Sequence, residues 1–231
     1  MAKSAVNSAN FFEFFDIIEV IDMSKLTQNV AQRIARETGY NDTGVIVFGL
    51  QSLAGLISNY VVLAILSFFL HVFPHAIIAA LASSSLRVFS GGSHASSPLR
   101  CAIFGTVVFL MLGRIAVTLS SFTSTSFFAA LAIIIALLAT AAIFKYGYAT
   151  THKKPLNAYA HGRKLRIIAI TVLLTLLAVI LYLSYFHIQS LHCRVFMAST
   201  MAGIAWYTFC LTPLGHKVND IADRQLQHWR L

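Results

Sequence analysis

Acidic residues are scarce in this chain of 231 residues, and its middle has none. Only eight residues are Asp or Glu, and all of them lie at or before Asp42 or at or after Asp220. The stretch from Thr43 to Asn219 therefore contains no carboxylate. This excludes a catalytic aspartyl pair and a carboxylate proton relay from that stretch. It also excludes a Ser-His-Asp triad, unless a terminal segment supplies the acid.

Charged residues of either sign are few. They make up 11% of the chain, while hydrophobic residues make up 58% and the mean hydropathy is +0.75. A soluble domain carries about a quarter charged residues, and several apolar runs here reach the ~20 residues that cross a bilayer. The sequence thus predicts an integral membrane protein. Acidic residues such as Glu13 and Asp16 near the start do not fit a cleavable signal peptide.

Cysteine is also rare, since only Cys101, Cys193 and Cys210 occur and no two form a C-x-x-C motif. This excludes a disulfide framework and a zinc knuckle. We predict no metal and no cofactor. Cys193 and Cys210 are interpreted as small apolar residues within spans.

The apolar pattern predicts an all-α membrane protein with about six transmembrane helices. An amphipathic helix over residues 10–38 is too charged to span and is expected to lie at the interface, as a segment over 1–43. The transmembrane domain covers 44–231. Whether the second span crosses fully stays open, because it contains three consecutive serines. The predicted spans are 44–70, 73–90, 101–121, 127–147, 166–186 and 193–213.

The basic residues predict the orientation. If both termini are cytoplasmic, 15 of the 17 Lys and Arg residues lie on the cytoplasmic side of the predicted spans. Of the other two, Arg114 lies within a span and Arg194 lies on the outer side. The same distribution explains the net charge of +9 without nucleic acid as a partner. Arg114 should face the bundle interior or water.

The segment from Arg87 to Cys101 is the candidate site, because it places His94 and Cys101 seven residues apart between hydrophobic segments. A thiol with a nearby imidazole can act as a cysteine nucleophile and its base. Gly91 and Gly92 break the helix and allow close approach of a peptide backbone.

A helix start follows directly, with Ser97 as N-cap and Pro98 at the first helical position. Cys101 then lies in the first turn, where the helix dipole and the neighbouring Arg100 favour a thiolate. Free N–H groups of that turn could hold an oxyanion. The alternatives are a solvated His94, a Cys101 that only packs, and an Arg87 that snorkels from a span end.

The pattern Arg87…Gly91-Gly92-x-His94…Cys101 resembles the signature of the accessory gene regulator B family. These are membrane cysteine endopeptidases that process the quorum-sensing propeptide of Gram-positive bacteria. The basic loop with Lys153, Lys154 and Pro155, followed by Arg163 and Lys164, is similar to a second family motif. The length and the six-span layout agree as well, so the resemblance covers most of the chain.

The resemblance implies a multi-pass protein of a Gram-positive cell membrane with a cytoplasmic active site. It implies that Cys101 attacks the propeptide with His94 as base, that a peptidyl thioester forms, and that the product closes into a thiolactone or lactone. Arg87, Gly91, Gly92, Arg100, Lys153 and Lys154 would bind substrate or support the site. The resemblance also allows a homodimer.

Two other functions stay open from the residues alone. One is a transporter or exporter of a peptide or amphiphile, for which Cys101 is dispensable. The other is a membrane acyltransferase that uses the same thiolate on a different carbonyl.

Overall fold

The protein was analysed as a computed structural model that describes residues 23–39, 42–91, 98–147 and 158–228. Every regular element in these ranges is an α-helix, which confirms the predicted fold class for the described residues. Each of the six predicted spans falls on a single helix. The helices are α1 (Met23–Thr38), α2 (Thr43–Phe69), α3 (Phe73–Ser90), α4 (Pro98–Ser120), α5 (Thr125–Tyr146), α6 (Ala158–Phe186), α7 (Leu191–Leu211) and α8 (Pro213–His228).

Three helices in the described ranges are long and apolar enough to cross a membrane. They comprise Arg100–Ser120 of α4, Thr125–Tyr146 of α5 and Gly162–Phe186 of α6. Helices α7 and α8 meet this criterion only as a bent pair, with 88° between them, and would make a fourth span. The full set of six spans and the cytoplasmic termini stay predictions.

The chain divides into two compact units, Met1–Ser58 and Asn59–Leu231. In the first unit, α1 covers the end of the predicted amphipathic helix, whose earlier part lies outside the described residues. Most of α1 from residue 28 onward is exposed, and Arg33 pairs with Glu37 one turn later at 3.2 Å. These features are those of a polar surface helix.

Helix α7 is the centre of the second unit, where it packs against α3, α4, α5 and α6. Its buried residues include a group of small ones, namely Ala198, Ser199, Thr200, Ala202 and Gly203. A Cβ placed on Gly203 would lie 2.2 Å from the carbonyl oxygen of Ala79 in α3, so the two backbones are in direct contact. Small residues allow such approach between helices of membrane proteins.

Polar side chains bridge the helices around α3 and α4. The Thr106 hydroxyl donates to Oδ1 of Asn59 at 3.1 Å, and the Tyr60 hydroxyl donates to Ser84 at 2.9 Å. Such hydrogen bonds between polar side chains are a common way for helices of membrane proteins to associate.

The two arginines expected within and outside the spans differ in their surroundings. Arg114 is exposed on α4, so the alternative in which it faces the bundle interior is wrong. Arg194 is half-buried and donates to the carbonyl oxygens of Ser120, Ile188 and Gln189 at 2.9–3.0 Å. It therefore binds the C-terminal end of α4, and Ser120 at that end lies about 30 Å along the helix from Cys101.

We predict that Gly203→Ala lowers the free energy of unfolding by about 1–3 kcal/mol, because a methyl group cannot fit between the backbones of α3 and α7. The measurement is the thermal unfolding midpoint of the protein in detergent. Gly105→Ala is the matched control, since the nearest atom to its Cβ would be Nδ2 of Asn59 at 3.9 Å. Equal stability of the two variants would contradict the close contact.

Candidate functional site

The end of α3 is held by hydrogen bonds and by one glycine. Gly91 has φ of 78°, which favours glycine, and its N–H donates to the carbonyl oxygen of Arg87 at 2.9 Å. The Ser90 hydroxyl donates to Leu86 at 2.8 Å and is also hydrogen-bonded to Tyr207 of α7. Because Ser90 has a single proton, the Tyr207 hydroxyl is the donor in that second bond. The predicted helix break at Gly91 is confirmed.

Cys101 lies in the first turn of α4, as the Ser97-Pro98 pattern predicts, and its side chain is half-buried. The first turn of a helix has N–H groups without intrahelical acceptors and carries about half a positive charge. The thiol is thus at the end of the helix that stabilises an anion. Gly92 and His94 lie outside the described residues.

Cys210 of α7 is hydrogen-bonded to residues from two other helices. Arg87 of α3 donates a hydrogen bond to its sulfur, and Asn219 of α8 is also hydrogen-bonded to it. Cys101 of α4 is close enough to interact electrostatically with the same thiol. Cys210 is 1% exposed, as expected for a span residue, but its surroundings are polar. Arg87 is half-buried and contributes to this polar cluster.

An ion pair lies beside this cluster. The Nη1 atom of Arg100, one residue before Cys101, is 3.4 Å from Oδ1 of Asp223 in α8. The two side chains are only 13% and 16% exposed. At this separation the contact is an ion pair rather than a hydrogen bond, and burial strengthens its electrostatic attraction. A terminal segment thus supplies a carboxylate that the sequence between Thr43 and Asn219 lacks.

A sharp turn between α7 and α8 brings Asn219 and Asp223 to the site. The Thr212 hydroxyl accepts a hydrogen bond from the N–H of Gly215 at 3.1 Å, and Pro213 occupies the first helical position of α8. A Cβ on Gly215 would lie 2.1 Å from the carbonyl oxygen of Phe209. Only glycine therefore fits this close approach.

The sequence interpretation missed α8 and its two site residues. The pair Thr212-Pro213 is the same kind of helix start as Ser97-Pro98, which was recognised. Asn219 and Asp223 are four residues apart, and this spacing puts them on one helix face. Their approach to Cys210 and Arg100 depends on the 88° angle between α7 and α8. The Thr212-Pro213 pair indicates that a helix starts there but does not predict this angle.

The basic loop after α5 is described only at its far end. Lys153 and Lys154 lie outside the described residues, whereas Arg163 and Lys164 are exposed at the start of α6. Arg166 is half-buried, and its Nη2 donates to the carbonyl oxygen of Gly147 at 3.3 Å. Arg166 thus connects the ends of α5 and α6, while Arg163 and Lys164 are accessible to a ligand.

Comparison with known proteins agrees with the resemblance in the sequence. The accessory gene regulator B family matches residues 27–211. An AgrB-like protein of Clostridium perfringens strain SM101 is 24% identical over 205 residues, which cover 84% of this chain and 93% of that protein. A second AgrB-like protein, from strain 13 of the same species, is 24% identical over 203 residues, with the same coverage. No solved structure matches this chain.

The family match includes the whole stretch from α2 to the end of α7, with Arg87, Gly91, Cys101 and Cys210 inside it. Both relatives are matched over nearly their whole length. The chain therefore belongs to the accessory gene regulator B family.

Proposed function

We propose that this protein is a membrane-embedded cysteine endopeptidase that cleaves a quorum-sensing propeptide through a thioester at Cys101 and promotes cyclisation of the product. Membership of the accessory gene regulator B family links the chain to processing of such a propeptide. The observation that carries the catalytic assignment is the position of Cys101 in the first turn of α4. There the free N–H groups of the first helical turn can stabilise the oxyanion that forms when the Cys101 sulfur attacks a carbonyl group.

The proposed reaction has two acyl transfers. His94 accepts the proton of the Cys101 thiol, and the sulfur attacks the carbonyl carbon of the scissile peptide bond. The C–N bond breaks, and the proton passes from His94 to the departing amine of the C-terminal fragment. A nucleophilic side chain of the bound peptide then attacks the thioester carbonyl. This closes a thiolactone or lactone and returns the proton to the Cys101 thiol.

The described part of the site supports substrate binding beside the nucleophile. Arg87 brings a guanidinium group next to Cys210, where it can contact the substrate, whereas Arg100 is largely buried, pairs with Asp223 and supports the site. The exposed Arg163 and Lys164 add positive charge at the start of α6. Together these positively charged side chains attract a propeptide with an acidic tail. Lys153 and Lys154 complete the proposed binding segment.

The proposal includes six spans, cytoplasmic termini and an active site that opens to the cytoplasm. The excess of Lys and Arg on one side of the predicted spans supports this orientation. Arg194, the one basic residue predicted to lie outside, is at the end of α4 opposite to Cys101. The two ends of α4 would therefore face the two sides of a bilayer.

We expect Cys101→Ala to abolish propeptide cleavage while the protein still inserts and folds, because the variant lacks the atom that forms the thioester. The measurement is mass spectrometry of the co-expressed propeptide, together with a search for a peptide bound covalently to the enzyme. Cys193→Ala is the matched control and should cleave normally, since Cys193 lies at the far end of α7. Normal processing by Cys101→Ala would favour a transporter instead. A thioester that carries a fatty acyl group instead of a peptide would favour an acyltransferase.

We expect a cysteine introduced at Ser96, in a Cys101→Ala background, to react with an impermeant maleimide only from the cytoplasmic side. Ser121→Cys in the same background is the opposite marker, because Ser121 is exposed at the other end of α4 and should react in intact cells. Labelling is compared between intact cells and inverted vesicles, with the parent Cys101→Ala protein as the blank. Reaction at position 96 in intact cells would overturn the orientation.

We expect replacement of Lys153, Lys154, Arg163 and Lys164 by glutamine to raise KM for the propeptide, because the acidic tail loses its counter-charges. Added salt should weaken binding to the wild type, since exposed charges are screened over about 8–10 Å near physiological ionic strength. Steady-state cleavage in nanodiscs at several salt concentrations is the measurement. Arg33→Gln/Arg36→Gln in α1 is the control for charge alone. An unchanged KM at every salt concentration would leave these residues a role in membrane orientation only.

A further inference from the structure

The helix that carries Cys101 receives its acidic partner from another part of the chain. No acidic residue occurs in the first turn of α4, although a carboxylate there would be favourable. Arg100 adds a positive charge at this already positive helix end. Asp223 of α8 lies 3.4 Å from that guanidinium, and both side chains are largely buried. The carboxylate thus offsets the unfavourable position of Arg100.

The same face of α8 contacts the other thiol. Asn219, one helical turn before Asp223, is hydrogen-bonded to Cys210, which in turn is hydrogen-bonded to Arg87 and lies near Cys101. The Thr212 cap and the close approach of Gly215 to Phe209 fix the direction of α8. Asn219 and Asp223, one turn apart on α8, therefore contact Cys210 and Arg100, respectively.

We propose that Asp223 is a positioning residue for the Cys101 nucleophile, which it holds in place through Arg100. The proposal rests on the function proposed above only in that Cys101 is the reacting group. The ion pair joins α8 to the residue adjacent to Cys101, so it restricts the first turn of α4. Without the carboxylate, Arg100 is repelled by the helix end and turns towards water, and the thiol loses its fixed orientation to the substrate.

A different role would give the opposite kinetics. If Asp223 occupied the place of the substrate's acidic tail on Arg100, its removal would free Arg100 for the propeptide. KM would then fall and cleavage at low substrate would rise. The low exposure of both partners favours positioning, because a tail-binding arginine must be reached by the tail.

The experiment uses the full chain in nanodiscs with purified propeptide. Asp223→Asn removes the charge and keeps the shape, Asp223→Glu restores the charge, and Asp220→Asn is the matched control because Asp220 is exposed on the same helix. We expect Asp223→Asn to lower kcat by about tenfold or more with KM within about twofold of the wild type. Asp223→Glu should recover most of the loss, and Asp220→Asn should behave as the wild type.

A second readout does not need the propeptide. The rate at which iodoacetamide alkylates Cys101 is followed by peptide mass spectrometry, and we expect Asp223→Asn to change this rate by at least about threefold while Asp220→Asn leaves it unchanged. If the wild type does not cleave the propeptide, the proposed function fails, and the alkylation rates still decide whether Asp223 positions Cys101.

A buried arginine left without its partner could unfold the protein. The double variant Arg100→Gln/Asp223→Asn removes both charges and keeps the side-chain shapes, so it tests the same claim in a protein without an unpaired charge. We expect it to show the reduced kcat and the altered alkylation rate. Wild-type kcat and alkylation in the folded double variant would overturn the proposal, as would a lowered KM with raised cleavage in Asp223→Asn.

Discussion

The contact between the backbones of α3 and α7 at Ala79 and Gly203 determines where the functional groups lie. The absence of a side chain at Gly203 lets the helices approach, so that residues further along both helices meet as well. Tyr207, one turn after Gly203, is hydrogen-bonded to Ser90, and Cys210, two turns after it, is hydrogen-bonded to Arg87. The end of α3, from which the chain continues towards His94, is therefore anchored to α7 by two polar contacts.

The charged groups at this end of the bundle are mostly positive. Arg87 and Arg100 come from helices without any acidic residue, and the only carboxylate paired with them in the described residues is Asp223. Isolated charges in an apolar bundle are costly, and a partner from a neighbouring helix reduces that cost. Because the carboxylate is on α8, which turns away from α7 by 88°, the long apolar helices need no acid of their own.

Local signals in the sequence predicted the end of α3 and the start of α4. Gly91 with its positive φ ends α3, and Pro98 begins α4. Such breaks depend on residues adjacent in the chain, so they can be identified from the sequence. The position of Cys101 in a first helical turn was predicted for the same reason.

The surroundings of the candidate site could not be predicted in this way. Cys210 looked like an ordinary packing residue, and its contacts with Arg87 and Asn219 arise only when three helices converge. Asp223 is 122 residues from Cys101 in the sequence, and its approach to Arg100 depends on the turn at Thr212. The alternative in which Arg114 faces the bundle interior was wrong, because the direction of this side chain depends on the rotation of α4 within the bundle.

The turn after α7 coincides with the end of the family match. The family match ends at Leu211, the last residue of α7, and α8 begins two residues later. A segment beyond this match thus contacts Cys210 and pairs with Arg100 beside Cys101. Substitutions along α8 alter the surroundings of Cys101 and Cys210 without touching the contact of Gly203 with Ala79. Changes in α8 can therefore alter the chemistry of the site while the bundle that carries the two thiols stays the same.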